Sequence, residues 1–179
     1  MNKKPLFTLQ QLTRIGLMAA LVFASNYMFF PVGHTRIHLG NIFMLLSGFF
    51  LGGLHGGLAA GVGASLFDLL SPGGMYIASA PTTFIFRFAM AFTAGTISRM
   101  AGKQARNVTL NIVAAVTAAL LYMVLHMSKS FVSTYMLGST IEAAFVMALE
   151  KGRASTINAL IGICASVPIS LLPLPFRKQ

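Results

Sequence analysis

The chain has 179 residues, 56% of them hydrophobic and 9% charged, with a mean hydropathy of +0.78. A soluble domain carries roughly a quarter charged residues, so this composition excludes one and indicates an integral membrane protein with no room for a separate soluble domain. The formal net charge of +10 would suggest nucleic acid in a soluble protein, but most Lys and Arg stand at the ends of apolar segments, where membrane topology accounts for them, and no nucleic-acid partner is expected.

Crossing the hydrocarbon takes about 20 apolar residues per helix. Residues 15–32 form the first such run, after the leader-like MNKKPLFTLQQLTR. The run ends at Phe30-Pro31-Val32 without a small-x-small cleavage pattern, so it reads as a retained span. Residues 39–70 are too long for one span and short for two. The glycine-rich Gly52-Gly53-Leu54-His55-Gly56-Gly57 at their centre predicts a tight turn between two short helices. Residues 84–97 with their flanks, 108–127 and 156–174 supply the remaining spans.

The fold class is therefore an all-α membrane protein of one domain, 1–179, with six transmembrane helices. An even count puts both termini on one side, with Lys3, Lys4, Arg14, Arg99, Lys103, Arg106, Arg177 and Lys178. The other side holds Arg36, Lys151 and Arg153, with Arg87 and Lys129 nearer the membrane. By the positive-inside rule both termini are cytoplasmic. Residues 131–149 are apolar but diluted by Ser133, Thr134, Ser139, Thr140 and Glu142, and are read as an outer loop or short lid helix in preference to a seventh span. Residues 33–40 and 71–83 are further outer loops.

Ionisable side chains are costly in hydrocarbon and usually face a bundle interior, a cavity or a partner. Asp68 is one of only three acids, and Arg87 and Lys129 accompany two other apolar runs. Gly57, Gly61, Ser65 and Asp68 share one narrow helical face, which leaves space for a neighbouring helix or for a ligand. Close packing with an Asp68–Arg87 ion pair is the structural alternative.

Asn111, Ala115, Ala118, Tyr122, His126 and Lys129 share another face, and its outer end, from Tyr122 to Lys129, is read as a pocket wall. Asn41 at the start of the second helix, Arg87 near the outer end of the fourth and Asn158 early in the sixth converge at the same depth. Tyr76, Thr82 and Thr83 lie in the loop that would cover the site. On the first helix Gly16, Ala20 and Ala24 recur every four residues, a spacing that admits close approach of another helix, inside the bundle or from a partner.

Catalytic chemistry finds no support. There is no HExxH and no Walker A motif, and Gly63-Ala64-Ser65 is not a nucleophile elbow. A lone Cys164 makes neither an intramolecular disulfide nor a metal site. No enzyme activity, metal or cofactor is expected.

The helix carrying Gly16, Ala20 and Ala24, followed by IHLGNIFMLLSGFFLGGLHGGLAAGVGASLFDLL and YIASAPTTFIFRFAMAFTAGTISR, resembles the S components of energy-coupling factor (ECF) transporters, vitamin-uptake systems of bacteria and archaea. The stretches HLGN, FLGGLHGGLAAGVGASLFDLL and PTTFIFR are similar to the small-vitamin branches of that family. The resemblance implies a multi-pass protein of the cell membrane that captures a vitamin from outside. It also implies association with a transmembrane T component and two ATPase subunits, and toppling in the membrane driven by ATP use in those partners.

The family's partner-contact motif maps to Ala20 and Ala24, with Gly16 one turn before. The ligand would lie in the outer half, closed by the first, third and fifth loops, against Asn41, Asp68, Tyr76, Arg87, Tyr122, His126, Lys129 and Asn158. The chain has no Trp, so Tyr76 and Phe residues would take the stacking role. A small polar aromatic such as pyridoxine or hydroxymethylpyrimidine suits such a pocket. Riboflavin or pantothenate are alternatives. So is a stand-alone secondary transporter or channel with Asp68 and Arg87 as its coupling pair.

Overall fold

The computed structural model describes residues 7–32, 35–102 and 105–172. Of the basic residues used to assign sidedness, Lys3, Lys4, Lys103, Arg177 and Lys178 lie outside the described residues.

Six α-helices are present among the described residues, α1 (Leu9–Asn26), α2 (Gly40–Leu51), α3 (Gly53–Leu69), α4 (Ala80–Ile97), α5 (Val108–Met136) and α6 (Ile141–Ser170). Caps fix several of their starts. Thr8 and Gln11 form a reciprocal capping box at α1, Asn107 accepts from Leu110 N–H at α5, and Thr140 accepts from Ala143 N–H at α6. The expectation of an all-α chain needs one correction. Between α1 and α2 the chain forms a hairpin, β1 (Phe29–Val32) antiparallel to β2 (Thr35–His38), with Phe29 opposite His38 and Pro31 opposite Arg36. The first helix accordingly ends at Asn26, before the end of its apolar run.

A second correction concerns residues 131–149. They are neither a loop nor a separate lid helix. α5 continues to Met136, α6 begins at Ile141, and the stretch is the adjoining ends of two long helices. Gly138, with φ of +87°, stops α5 in the left-handed conformation that glycine adopts without penalty, and Thr140 caps the start of α6. The Ser and Thr that dilute the apolar pattern are the turn itself and its flanks.

Glycines let the centre of the bundle close. A Cβ at Gly48 would stand 2.5 Å from Ala91 O, one at Gly56 2.5 Å from Ser47 O, and one at Gly95 2.5 Å from Gly52 C. Backbones of α2, α3 and α4 thus touch directly, around the buried Met44, Phe49, Met90 and Ala94. The turn expected over Gly52 to Gly57 is confined to Gly52, with φ of +85°, since Gly53 to Gly57 already belong to α3; the Arg99 guanidinium donates to Phe50 O at 2.8 Å, satisfying a carbonyl at the end of α2.

On α3, the small-residue face is filled by protein. The space over Gly57 is taken by Phe88 and that over Gly61 by Phe84, both from α4. The far end of that face, at Asp68, lines a cavity.

Large apolar side chains such as Leu17, Leu66, Ile85, Phe92, Leu120 and Leu160 point outward. An exterior of this kind suits lipid and not water. Residues Ile77–Ile97 and Val108–Met136 are each long and apolar enough to cross a membrane. α6 carries Glu142, Glu150, Lys151 and Arg153 in its first half, which makes that half polar. Consecutive helices run antiparallel, so the hairpin, the 72–79 loop and the α5–α6 turn gather at one end of the bundle.

Candidate functional site

At that end lies a cavity of about 490 Å³, within the range of about 300–1,000 Å³ usual for small-molecule sites. Strand alternation builds one wall. Arg36 and His38 are two residues apart on β2, so they share a face with their cross-strand partners Pro31 and Phe29, and all four line the cavity. Asn158 of α6 holds this strand like a neighbouring strand would. Its Oδ1 accepts from His38 N–H at 2.8 Å and its Nδ2 donates to Arg36 O at 3.0 Å.

Arg87 of α4 forms the floor. It is buried, its Nη1 donates to Asn41 Oδ1 at 2.7 Å, and its guanidinium carbon lies 3.7 Å from the centre of the Tyr122 ring. The Tyr122 ring in turn stacks on His126, centroids 5.3 Å apart, and His126 Nδ1 is 3.2 Å from Ser155 Oγ. A second stack faces it from the loop side, with the Arg36 guanidinium 4.5 Å from the Tyr76 ring centre and 4.6 Å from that of Phe67.

The Asp68–Arg87 ion pair, raised from sequence as the structural alternative, is not formed. Asp68 Oδ1 pairs with Arg36 Nη2 at 3.5 Å, and Asp68 Oδ2 accepts from Thr83 Oγ1 at 2.5 Å. Lys129 Nζ donates to Thr82 Oγ1 at 2.5 Å, so the first turn of α4 ties α3 and α5 to one point. The reason is geometric. Arg36 arrives on a hairpin that passes over the end of α3, whereas Arg87 lies one turn deeper on α4 and meets α2 and α5.

Of the residues expected from sequence, Asp68, Tyr76, Arg87, Tyr122, His126, Lys129 and Asn158 line the cavity. Asn41 does not; it stands behind Arg87 and orients it. Asn111, on the same face of α5, lies at the opposite end, where its amide donates to Ser170 Oγ and Ala105 O. Arg36, His38, Asn26, Lys151 and Ser155 also line the cavity, beyond the set expected from sequence. The alternation in Thr35-Arg36-Ile37-His38 is the readable signal for two of them.

The lining holds four cationic side chains, Arg36, Arg87, Lys129 and Lys151, and one carboxylate, Asp68. Burial, and then the neighbouring charges of Arg87 and Arg36, hold the His38 imidazole well below its usual range, so it is neutral. Among the described residues no cluster of His, Cys, Asp and Glu is placed to hold a metal ion. On α1, Gly16, Ala20 and Ala24 are exposed, and nothing lies within 4 Å of a Cβ added at Gly16.

Comparisons with known proteins agree with this architecture. No curated protein matches the chain. A solved structure described as "Structure and mechanism of the S component of a bacterial ECF transporter" superposes with a TM-score of 0.65, covering 89% of this chain and 92% of that one. At 17% identity that likeness shows the fold alone. The family evidence is in the sequence, where residues 6–172, nearly the whole chain, match a single family. The six-helix bundle with its polar, hairpin-covered cavity is thus that of a transporter's substrate-binding subunit, and the chain belongs to the family of ECF-type riboflavin transporter S components.

Proposed function

We propose that the cavity captures a water-soluble vitamin or vitamin derivative with an aromatic ring, of the riboflavin or pyridoxine class. The observation that carries this reading is the pairing of aromatic rings with polar groups in one cavity. Tyr76 and Tyr122 bring aromatic rings to the lining, each with a guanidinium over one face, and Arg36, His38, Lys129 and Asn158 supply hydrogen-bonding groups around them. The family match favours the fused ring of riboflavin. The density of charged groups favours a smaller, more polar ring such as pyridoxine or hydroxymethylpyrimidine.

The subunit works in this reading in a cell membrane, both termini cytoplasmic, with a transmembrane T component and two ATPase subunits. Exposed Gly16, Ala20 and Ala24 on α1 offer a smooth face where another helix can approach closely. The alternative of a stand-alone transporter loses its coupling pair, because Asp68 is paired with Arg36.

Thermal-shift screening of the purified protein against a vitamin panel tests the ligand class. A shift with a riboflavin-class or pyridoxine-class compound is expected; a folded protein that responds to none of them ends the reading. Ala20→Leu is expected to abolish co-purification with T component while leaving that shift unchanged.

A further inference from the structure

Two side chains in the wall of this cavity, His38 and Arg87, meet with no acceptor between them. Gly40 N–H donates to His38 Nδ1 at 3.1 Å, so Nδ1 carries no proton. The single proton of the neutral imidazole is then on Nε2. That Nε2 lies 3.4 Å from Arg87 Nη2, and a guanidinium nitrogen can only donate. The contact is N–H against N–H. Arg87 already spends Nη1 on Asn41. On the same face of β2, Arg36 Nη1 is buried and has no hydrogen-bond partner among the described residues, while Arg36 Nη2 serves Asp68.

The charges point the same way. The cavity's one carboxylate pairs with Arg36, and no carboxylate stands within ion-pair distance of Arg87 among the described residues. A neutral oxygen would answer the geometry of the two donors but leave the buried guanidinium without a counter-charge. Buried unpaired charge is the more costly deficit.

We infer that the cavity selects a ligand bearing an oxyanion, a carboxylate or a phosphate, with one oxygen accepting from both His38 Nε2–H and Arg87 Nη2–H. This rests on the vitamin-binding reading and names the chemical class within it. The aromatic body of the ligand lies against Tyr76 or Tyr122, and the acidic group is directed to the seam between β2 and α4. Asn158 and Asn41 act as positioning residues, one fixing the backbone of His38 and the other the guanidinium of Arg87.

Calorimetric titration of the full chain in detergent at neutral pH with matched pairs tests the inference. The pairs are riboflavin with riboflavin 5′-phosphate, pyridoxine with pyridoxine 5′-phosphate, and pyridoxine with 4-pyridoxate. The acidic member of at least one pair is expected to bind at least about tenfold tighter than its neutral partner, as a charge-assisted hydrogen bond supplies. The phosphate and carboxylate arms tell the two sources of the oxyanion apart. Neutral members binding as tightly or tighter in every pair that binds would overturn the inference while leaving the vitamin reading intact. No binding by any member, with cooperative thermal unfolding retained, would sink the vitamin reading and this inference with it.

A variant adds an independent readout. His38→Asn, whose Oδ1 can still accept from Gly40 N–H but which has no group at the Nε2 position, is expected to weaken the acidic member by about tenfold and the neutral member by less than about twofold. An equal loss for both at unchanged melting temperature makes His38 a general structural support, which overturns the proposed cradle.

Discussion

Arg36 Nη2 stands 3.5 Å from Asp68 Oδ1, and this ion pair fastens the hairpin to the end of α3. The Arg36 side chain is 24% exposed and that of Asp68 only 4%, so solvent screens part of the attraction but little of the carboxylate's environment. Asp68→Asn keeps an acceptor for Thr83 and removes the charge. It is expected to destabilise the protein by about 1–2 kcal/mol. A double-mutant cycle is the sharper measurement. Arg36→Gln with Asp68→Asn is expected to show coupling of about 0.5–1 kcal/mol, and Arg87→Gln with Asp68→Asn less. The reverse order would mean that Asp68 answers to α4 and not to the hairpin.

Asn158 supplies two hydrogen bonds to the backbone of β2, and among the described residues β2 pairs with no strand other than β1. In Asn158→Ala both backbone groups lose their partner. The expected outcome is faster amide exchange confined to residues 35–38 and ligand binding weaker by roughly tenfold or more, with the helical core as protected as before. Hydrogen exchange followed by mass spectrometry reads this directly. Uniform loss of protection across α2 to α4 would show that the hairpin and the core unfold together.

Glycine-to-alanine changes separate the core from the surface. At Gly95 the new Cβ would lie 2.5 Å from Gly52 C and 2.6 Å from Gly53 N, both backbone atoms that cannot step aside. Overpacking of this kind costs about 1–3 kcal/mol or more and outweighs the gain of about 1 kcal/mol in helix propensity. Gly95→Ala is therefore expected to lower the melting temperature. Gly16→Ala meets nothing within 4 Å and is expected to leave it unchanged or raise it slightly. Equal behaviour of the two variants would contradict the backbone contact between α3 and α4.

Stability should also depend on pH through His38. Its folded pKa lies below the unfolded value of about 6.5, through burial first and then the charges of Arg87 on α4, Arg36 on its own strand and His126 on α5. The unfolded chain therefore takes up this proton before the folded one does. The contribution is complete above about pH 6.5 and is lost as pH falls toward the folded value, by at most about 1.4 kcal/mol per pH unit. Melting temperature is expected to drop between pH 7 and pH 5, and His38→Gln to flatten that drop. An identical slope in the variant assigns the acid sensitivity to other groups.

The sequence by itself determined that this chain is a helical membrane protein, because composition and run length answer to the hydrocarbon and need no knowledge of contacts. It also pointed to the turn at Gly52, where glycine clustering is a local backbone signal, and to part of the cavity's polar lining, because Asp68, Arg87, Tyr122, His126, Lys129 and Asn158 are polar at positions where lipid would be costly. Length of run was a poorer guide where polar residues sit at helix ends. The stretch 131–149 is two helices meeting at Gly138 and Thr140, and only the caps reveal it.

Tertiary structure alone decided the pairing. Whether Asp68 meets Arg87 or Arg36 depends on a four-residue strand folding back across the bundle, a contact between elements that no periodicity encodes. The same strand brings His38 to face Arg87 from 49 residues away, and turns Asn41 from a wall of the cavity into the support behind it. Polarity in an apolar chain tells which side chains must find partners; which partner each one finds is set by packing.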